Sequence, residues 1–175
     1  MSVRLFAVTA LLCLLTLLAP STWADSSVTA PRLLAGHSSE ILSLVYAPDG
    51  KLLATGGTDQ TIRLWNPESG RDLNLLRGHM GAVHALAFSP NGKLLASGSA
   101  DTSVRIWDLA SGRELHAVTS NFDAVRAVAF SADGKMLVAG GNDGSLRFLD
   151  SANGKELRSV RGQFGIVFSI AFSPD

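Results

Sequence analysis

Cysteine is almost absent from this chain of 175 residues, which contains Cys13 and no other. Because Cys13 lies in an N-terminal segment that we predict to be removed, the remaining chain offers no disulfide, no thiolate nucleophile and no cysteine-based metal site. An excess of charge of either sign is absent as well, since 15 Lys and Arg residues balance 15 Asp and Glu residues. This balance predicts neither a nucleic acid nor a membrane surface as partner.

The short motifs of common catalytic and metal sites are absent too. The sequence has no Gly-x-Ser-x-Gly elbow, no phosphate-binding loop and no His-Glu-x-x-His pair. His84 and His116 have no carboxylate or histidine neighbours at the spacing that metal ligands require. We therefore predict a protein without enzyme activity, metal or other cofactor.

The first 24 residues have the pattern of a secretory signal peptide. Residues 1–4 carry one positive charge, residues 5–18 are apolar, and Thr22-Trp23-Ala24 ends in the small residue that cleavage sites have. We expect cleavage after Ala24, a short linker at 25–30 and no stable membrane insertion afterwards, because a spanning helix needs roughly 20 residues. An uncleaved anchor is the alternative. Export without disulfides favours a bacterial periplasmic or secreted protein, with a eukaryotic secreted protein as the other option.

From residue 31 onward the sequence repeats with a period of 42 residues, so that His37 recurs as His79 and Trp65 as Trp107. Further columns at this spacing hold aspartate, phenylalanine and glycine. Their members are Asp59, Asp101 and Asp143; Phe88, Phe130 and Phe172; Gly50, Gly92 and Gly134; and Gly70, Gly112 and Gly154. Agreement in so many columns predicts tandem copies of one structural unit.

Each copy has the pattern of four short strands separated by turns. In the first copy the turn Pro48-Asp49-Gly50 separates the first two strands, because proline presets its own φ and glycine is free to adopt a positive one. The four expected strands of that copy cover residues 41–46, 52–56, 61–65 and 72–76. Four strands per copy without helical periodicity predict an all-β fold, a β-propeller of four-stranded antiparallel blades.

The expected ring is incomplete, with about three blades plus the first strand of a fourth, whereas propellers have about four to eight blades. The copies cover residues 36–77, 78–119, 120–161 and, in part, 162–175. Because the sequence stops inside a turn at Ser173-Pro174-Asp175, we expect a segment of a larger protein. A short protein that closes its ring by oligomerising is the alternative.

The copies resemble the WD-repeat family over residues 31–175 through four features of the first two copies: Gly-His near the start, Ser or Thr in the second strand, Asp in the next turn, and Trp-Asp closing the third strand. The second copy has all four, and the first has Asn66 in place of the last Asp. The resemblance implies that residues 30–35 form a strand that completes the last blade. It also implies one hydrogen-bonded set of four side chains per blade, here His37, Thr55, Asp59 and Trp65, then His79, Ser97, Asp101 and Trp107.

The third copy departs from this pattern, since its matching positions hold Asn121, Ala139, Asp143 and Leu149. Loss of the hydroxyl and the indole together leaves nothing unsatisfied, and Asp143 is expected to keep a role in its turn. The fourth copy begins with Gly162-Gln163 and lacks the imidazole as well. A Ser-His-Asp set that occurs once per blade, beside a Trp donor, does not favour a catalytic triad, which occurs once in a cleft.

The resemblance implies a non-catalytic scaffold that binds a protein or peptide partner. The alternative is the accessory propeller of an enzyme or sensor whose catalytic domain lies beyond residue 175. Contacts in the family lie three and five residues after the His position and just before the turn Asp, although packing around the channel is an equally good interpretation of these positions. They are Glu40, Leu42, Thr58, Ala82, His84, Ala100, Ala124, Arg126, Asn142, Ile166 and Phe168.

Overall fold

A computed structural model describes residues 33–119, 123–161 and 165–173 of the chain. The predicted signal peptide at 1–24 and the linker at 25–30 lie outside these residues. So do five further residues named above, Asn121, Gly162, Gln163, Pro174 and Asp175.

Twelve strands make up the regular structure of the described residues, which contain no helix. The strands are β1 Ile41–Tyr46, β2 Leu53–Gly57, β3 Ile62–Trp65, β4 Asp72–Leu76, β5 Val83–Phe88, β6 Leu94–Ser99, β7 Ser103–Asp108, β8 Arg113–Thr119, β9 Val125–Phe130, β10 Met136–Gly141, β11 Ser145–Asp150 and β12 Glu156–Arg161. They form three four-stranded antiparallel sheets, with strand orders β1-β2-β3-β4, β5-β6-β7-β8 and β9-β10-β11-β12. We call these sheets blades 1, 2 and 3. The predicted all-β fold of four-stranded antiparallel blades is confirmed.

The turn between the first two strands of each blade depends on a glycine with a left-handed backbone. In blade 1, Gly50 has a φ of 70° and donates its backbone N–H to the carbonyl of Ala47 at 2.9 Å. Asp49 accepts the backbone N–H of Lys51 at 2.9 Å, which closes the turn. Since glycine has no Cβ, it adopts this conformation without the steric cost that other residues meet. The same turn therefore recurs in blades 2 and 3, at Gly92 and Gly134.

The turn between the second and third strands needs a positive φ as well, but the copies meet this need differently. Gln60 and Thr102 have φ values of 67° and 69°, whereas Gly144 occupies the same column in blade 3 with 72°. A positive φ is especially unfavourable for a β-branched residue such as threonine. Blade 2 therefore holds backbone strain at Thr102 that blade 3 avoids.

The apolar core lies between neighbouring blades. One cluster joins blade 1 to blade 2, and its buried members are Ala54, Ile62, Leu64, Leu76, Val83, Leu86, Leu95 and Trp107. A second cluster joins blade 2 to blade 3 through Ala85, Ala96, Val104, Ile106, Val125, Val128, Phe130, Leu137, Ala139 and Leu149. Burying apolar side chains between sheets stabilises by roughly 25 cal/mol per Å² removed from water, so each blade depends on its neighbour.

Close packing between blades occurs at one glycine column. A Cβ on Gly56 would lie 2.6 Å from Val83, one on Gly98 would lie 2.5 Å from Val125, and one on Gly140 would lie 2.5 Å from Val167. The segment 165–173 therefore packs on blade 3 as β5 packs on blade 1. Its Val167 donates a backbone hydrogen bond to the carbonyl of Gly141 at 3.1 Å.

Two expected strands lack strand structure. The described part of the fourth copy, residues 165–173, was expected to contain a first strand but forms no ladder with any described strand. Residues 33–35, the described part of the expected strand at 30–35, are not a strand either. A strand needs a hydrogen-bonding neighbour, and residues 165–173 contain no second strand that could pair with the first.

The first strand of blade 1 has an exposed apolar face. Leu44 is 42% exposed, whereas Leu86 and Val128, its equivalents in blades 2 and 3, are 8% and 9% exposed. Tyr46 and Leu42 are exposed beside it. No described blade precedes blade 1, so the contact that covers β5 and β9 is missing at β1.

Candidate interaction face

The four residues expected to form a hydrogen-bonded set in blade 1 lie in contact. Trp65 donates its indole N–H to the hydroxyl of Thr55 at 2.8 Å, and that oxygen lies 2.8 Å from Nε2 of His37. His37 Nδ1 lies 2.9 Å from a carboxylate oxygen of Asp59. Since the indole only donates, the Thr55 hydroxyl donates onward to Nε2, which leaves the imidazole proton on Nδ1 facing Asp59. The set is a directed chain from indole to carboxylate.

Blade 2 has the same chain with serine in place of threonine. Trp107 donates to the Ser97 hydroxyl at 2.9 Å, which lies 2.7 Å from Nε2 of His79. Nδ1 of His79 lies 2.8 Å from Asp101. Ser97 and His79 are buried, and the hydroxyl is engaged on both sides. This geometry orients side chains inside a blade and does not present a nucleophile to a substrate.

Each turn aspartate also accepts hydrogen bonds from a residue that the sequence analysis did not single out. Thr61 in blade 1 donates its hydroxyl to Asp59 at 2.8 Å, and Ser103 in blade 2 donates to Asp101 at 2.6 Å. Ser145 donates both its hydroxyl and its backbone N–H to Asp143, so the aspartate of blade 3 acts in its turn. These hydroxyl residues recur every 42 residues, and that column was the signal available in the sequence.

In blade 2 the surroundings lower the pKa values of both Asp101 and His79. Burial alone would raise the pKa of Asp101, but hydrogen bonds from Ser103, the backbone of Met80 and His79 outweigh burial and lower it far below its ordinary value. Burial lowers the pKa of His79, against the opposing effect of Asp101. The folded state therefore favours an ionised carboxylate beside a neutral imidazole.

Blade 3 replaces the polar chain with apolar packing. Ala139 and Leu149, in the columns of the hydroxyl and the indole, are both fully buried in the core cluster between blades 2 and 3. Because both partners changed together, no donor or acceptor of the missing pair stays unsatisfied. The third expected position, Asn121, lies outside the described residues.

A second repeated contact, not predicted from the sequence, joins the third and fourth strands of each blade. Arginine on the third strand pairs with a carboxylate on the fourth, in the pairs Arg63–Asp72, Arg105–Glu114 and Arg147–Glu156. The arginine also explains the glycine of the Gly-His motif. A Cβ on Gly78 would lie 2.7 Å from the guanidinium of Arg105, so a larger residue there would have to displace that side chain.

The candidate contact positions lie at one end of each blade. Thr58 donates its backbone N–H to the carbonyl of Glu40 at 2.8 Å, which joins the turn before the third strand to the start of the first. The same bond recurs from Ala100 to Ala82 and from Asn142 to Ala124, each at 2.9 Å. The Gly-His loops reach this end too, because Ser38 and Met80 donate backbone hydrogen bonds to the turn aspartates. We call this end the loop face.

Three predicted contact residues meet across blades 2 and 3. Arg126 donates from Nε to the side-chain carbonyl of Asn142 at 2.9 Å, and its NH1 lies 3.4 Å from Nδ1 of His84. Burial and the positive charge of Arg126 both lower the pKa of His84. The loop face therefore carries a positive guanidinium between two neutral side chains.

The other predicted contact residues lie separately on this face. Thr58 bonds to the hydroxyl of Ser39 at 2.6 Å, while Glu40 and Leu42 are exposed. Ile166 and Phe168 are exposed on the segment 165–173. The sequence analysis missed Met80, which is 83% exposed in the second Gly-His loop. An apolar residue directly after the Gly-His pair was the signal for it.

Metal binding and membrane crossing find no support among the residues that the structure describes. Within 33–119, 123–161 and 165–173, no group of three or more His, Cys, Asp or Glu side chains could hold a metal ion. The same ranges contain no helix long and apolar enough to cross a membrane. His116 instead lies 2.9 Å from the backbone carbonyl of Ala152 and so links blades 2 and 3.

Comparison with protein families gives a match to a model described as WD40, WD domain, G-beta repeat, at residues 29–66, 70–108 and 112–150. The chain resembles two solved structures, entitled "Structure of U3-55K" and "Crystal structure of RRP9 WD40 repeats". It is 30% and 31% identical to them, each with a TM-score of 0.76. Each match covers 79% of this chain, and 44% and 43% of those chains. The predicted propeller architecture is confirmed.

Curated relatives match over shorter stretches. Protein FIZZY-RELATED 3 of Arabidopsis thaliana is 41% identical over 44 residues, which are 25% of this chain and 9% of that protein. The transcriptional repressor tup12 of Schizosaccharomyces pombe is 41% identical over 51 residues, 29% of this chain and 8% of that protein. The chain therefore spans less than half of the solved chains and matches under a tenth of these relatives.

The predicted bacterial periplasmic or secreted location is wrong. The relatives are eukaryotic proteins, and their names include a transcriptional repressor and, in Medicago truncatula, a B-type cell cycle switch protein. Both names point away from an exported protein. The prediction depended on the apolar residues 5–18, whose composition alone cannot identify an exported protein and which lie outside the described residues.

Proposed function

Because this chain belongs to the WD40 repeat family, whose propellers generally act as protein-interaction scaffolds, we propose that it binds a protein or peptide through its loop face without catalysing a reaction. One observation carries the proposal: the predicted contact positions share this end of the blades, where the backbone bonds of the Thr58, Ala100 and Asn142 turns repeat. A repeated rigid frame with variable side chains at one end suits recognition.

The hydrogen-bonded chains of blades 1 and 2 support a recognition role. They fix the Gly-His loops to the turn aspartates, since Asp59 accepts from Ser38 and Asp101 accepts from Met80. Loops held in this way lose little conformational entropy when a partner binds. The backbone from which Met80 projects is therefore positioned before the partner arrives.

The chemistry of the loop face also suits a protein partner. Exposed Met80 and Phe168 offer apolar contact, while Arg126 and Asn142 offer hydrogen bonds. Aromatic residues, methionine and arginine are enriched where proteins bind one another. The balanced net charge of the chain adds no general attraction for nucleic acid.

A peptide-display selection on the immobilised full chain tests the proposal. Enriched peptides should bind the wild type and lose at least tenfold in affinity on a variant carrying Met80→Asp and Phe168→Asp. A matched control carries Lys51→Ala and Lys93→Ala, two exposed residues at the opposite end of the blades, and should bind as the wild type does. Enriched peptides that bind both variants equally, or a selection without enrichment, would refute a binding role for the loop face.

The ring, we propose further, is completed by additional blades, so that this chain is a segment of a larger propeller. Support comes from Leu44, which is 42% exposed where Leu86 and Val128 are buried against a preceding blade. Binding of a hydrophobic dye should show an open apolar face, and Leu44→Lys should reduce this binding. Leu73→Lys, at an exposed leucine on β4, should not reduce it. Sedimentation should show no discrete ring-sized oligomer. A discrete ring-sized oligomer would contradict this proposal.

A further inference from the structure

Arg126 differs from the other half-buried arginines among the described residues. Arg63, Arg105 and Arg147 are also half-buried, and each pairs with a carboxylate of its own blade. No carboxylate of the described residues forms a salt bridge with Arg126. Its recorded partners are the amide of Asn142 and the imidazole of His84, both neutral groups. A half-buried charge that has only neutral partners loses part of its hydration energy, and those partners replace little of it.

The contacts of Arg126 fix its guanidinium plane. Nε donates to Asn142 at 2.9 Å, and Asn142 is itself held in its turn by a backbone bond to Ala124. NH1 lies 3.4 Å from Nδ1 of His84 on the neighbouring blade. A guanidinium has five N–H donors, so at least three are left after these two contacts. Two parallel N–H groups at its terminal edge match the two oxygens of a carboxylate.

The other predicted contact positions of blades 2 and 3 carry no negative charge. In blades 2 and 3 the remaining predicted contact positions are all alanine, namely Ala82, Ala100 and Ala124. Burial and Arg126 both lower the pKa of His84, so the imidazole stays neutral and does not repel the guanidinium. Arg126 is thus held in place by neutral groups and keeps its charge for an outside partner.

We propose that Arg126, held by Asn142 and His84, recognises a carboxylate of the bound partner, so that the loop face selects an acidic peptide. This inference rests on the proposed function, because it names the partner chemistry of the same face. Desolvated arginine anchors are among the residues whose removal weakens interfaces most. Loss of this anchor should weaken binding by about tenfold to hundredfold.

The test uses the peptides selected on the full chain. Each peptide is made again as a series in which one Asp at a time is replaced by Asn, or one Glu by Gln. On the wild type, one acid-to-amide replacement should weaken binding by about tenfold to hundredfold. On Arg126→Gln the acid and amide peptides should bind equally, and on Arg126→Lys the difference should shrink, because lysine lacks the planar fork. Arg113→Gln, at an exposed arginine on β8, is the matched control and should keep the wild-type difference.

Several outcomes would overturn the inference. Selected peptides without enriched acids, or equal acid-to-amide costs on the wild type and Arg126→Gln, would remove Arg126 as the carboxylate site. A phosphoserine peptide that binds tenfold tighter than the acidic one, and only when Arg126 is present, would reassign the site to phosphate. Peptides that need Met80 and Phe168 but ignore Arg126 would leave the proposed function standing and refute only this inference. Matching thermal unfolding of Arg126→Gln and wild type confirms that the variant is folded.

Discussion

The hydroxyl of Thr55 offers a sharp test of the polar chain inside blade 1. Thr55→Val keeps the shape of the side chain and removes only the hydroxyl, which is 2.8 Å from both Trp65 Nε1 and His37 Nε2. Thr55 and Trp65 are each 1% exposed, so water cannot replace the lost partner. Each buried group left unsatisfied costs about 1–3 kcal/mol, so we expect the two groups to lower the free energy of unfolding by about 2–6 kcal/mol.

The matched variant is Thr55→Ser, which keeps the hydroxyl and loses one methyl group. Ser97 occupies the same column in blade 2 and makes the same two bonds, so serine fits the geometry. Loss of a buried methyl costs about 1 kcal/mol. The valine variant should therefore be less stable than the serine variant by at least about 1 kcal/mol.

Equilibrium unfolding in urea measures both free energies, with a common denaturant slope as evidence that the unfolded states match. Trp65→Phe in the wild-type and Thr55→Val backgrounds completes a double-mutant cycle. If the chain is coupled, the tryptophan change should cost about 0.5–3 kcal/mol less once the hydroxyl is gone. Equal stability of the valine and serine variants, together with an additive cycle, would show that the Thr55 hydroxyl neither stabilises blade 1 nor is coupled to Trp65.

Three further predictions concern stability. Hydrogen bonds from Ser103, Met80 and His79 lower the folded-state pKa of Asp101 against the effect of burial, so its contribution to the free energy of unfolding is present above pH 3.8 and is lost as pH falls below that value. Burial lowers the pKa of His79, so the contribution of His79 is lost as pH falls below 6.5. Unfolding free energy should thus decline from pH 7.5 to 3.5, and a flat profile would contradict this. Thr102→Gly should raise the thermal midpoint by relieving a φ of 69°, where an unchanged or lower midpoint argues against strain. Gly98→Ala should cost about 1–3 kcal/mol in urea unfolding because its Cβ would lie 2.5 Å from Val125; a cost near zero would show that the blades can separate.

The repeat columns predicted the blades because each column records a local need. Gly50 recurs where a turn requires a positive φ, and Trp65 recurs where a buried indole has a hydroxyl to bind. These needs are met within about one blade, so one sequence was enough to find them. The Thr61 and Arg63 columns were equally visible, but the resemblance to the family did not draw attention to them.

Contacts between side chains of different blades could not be predicted from the sequence. The meeting of His84 and Arg126 joins residues 42 apart at 3.4 Å, and it depends on how one sheet turns against the next. The first strand expected in the fourth copy is absent from residues 165–173 for the same reason, because a ladder needs a neighbour as well as a suitable sequence. The location was wrong because an apolar N-terminal run was interpreted without the proteins that the repeats resemble.

Hydrogen exchange of the full chain, with and without a selected peptide, tests whether the loop face binds the partner. We expect slower exchange at the loop face, in the backbone of Thr58, Met80 and Asn142, whose amides lie beside the proposed contacts. The turns at Gly50 and Gly92, at the opposite end of the blades, should exchange as in the free chain. Protection confined to those opposite turns, or spread evenly over all blades, would contradict a binding role for the loop face.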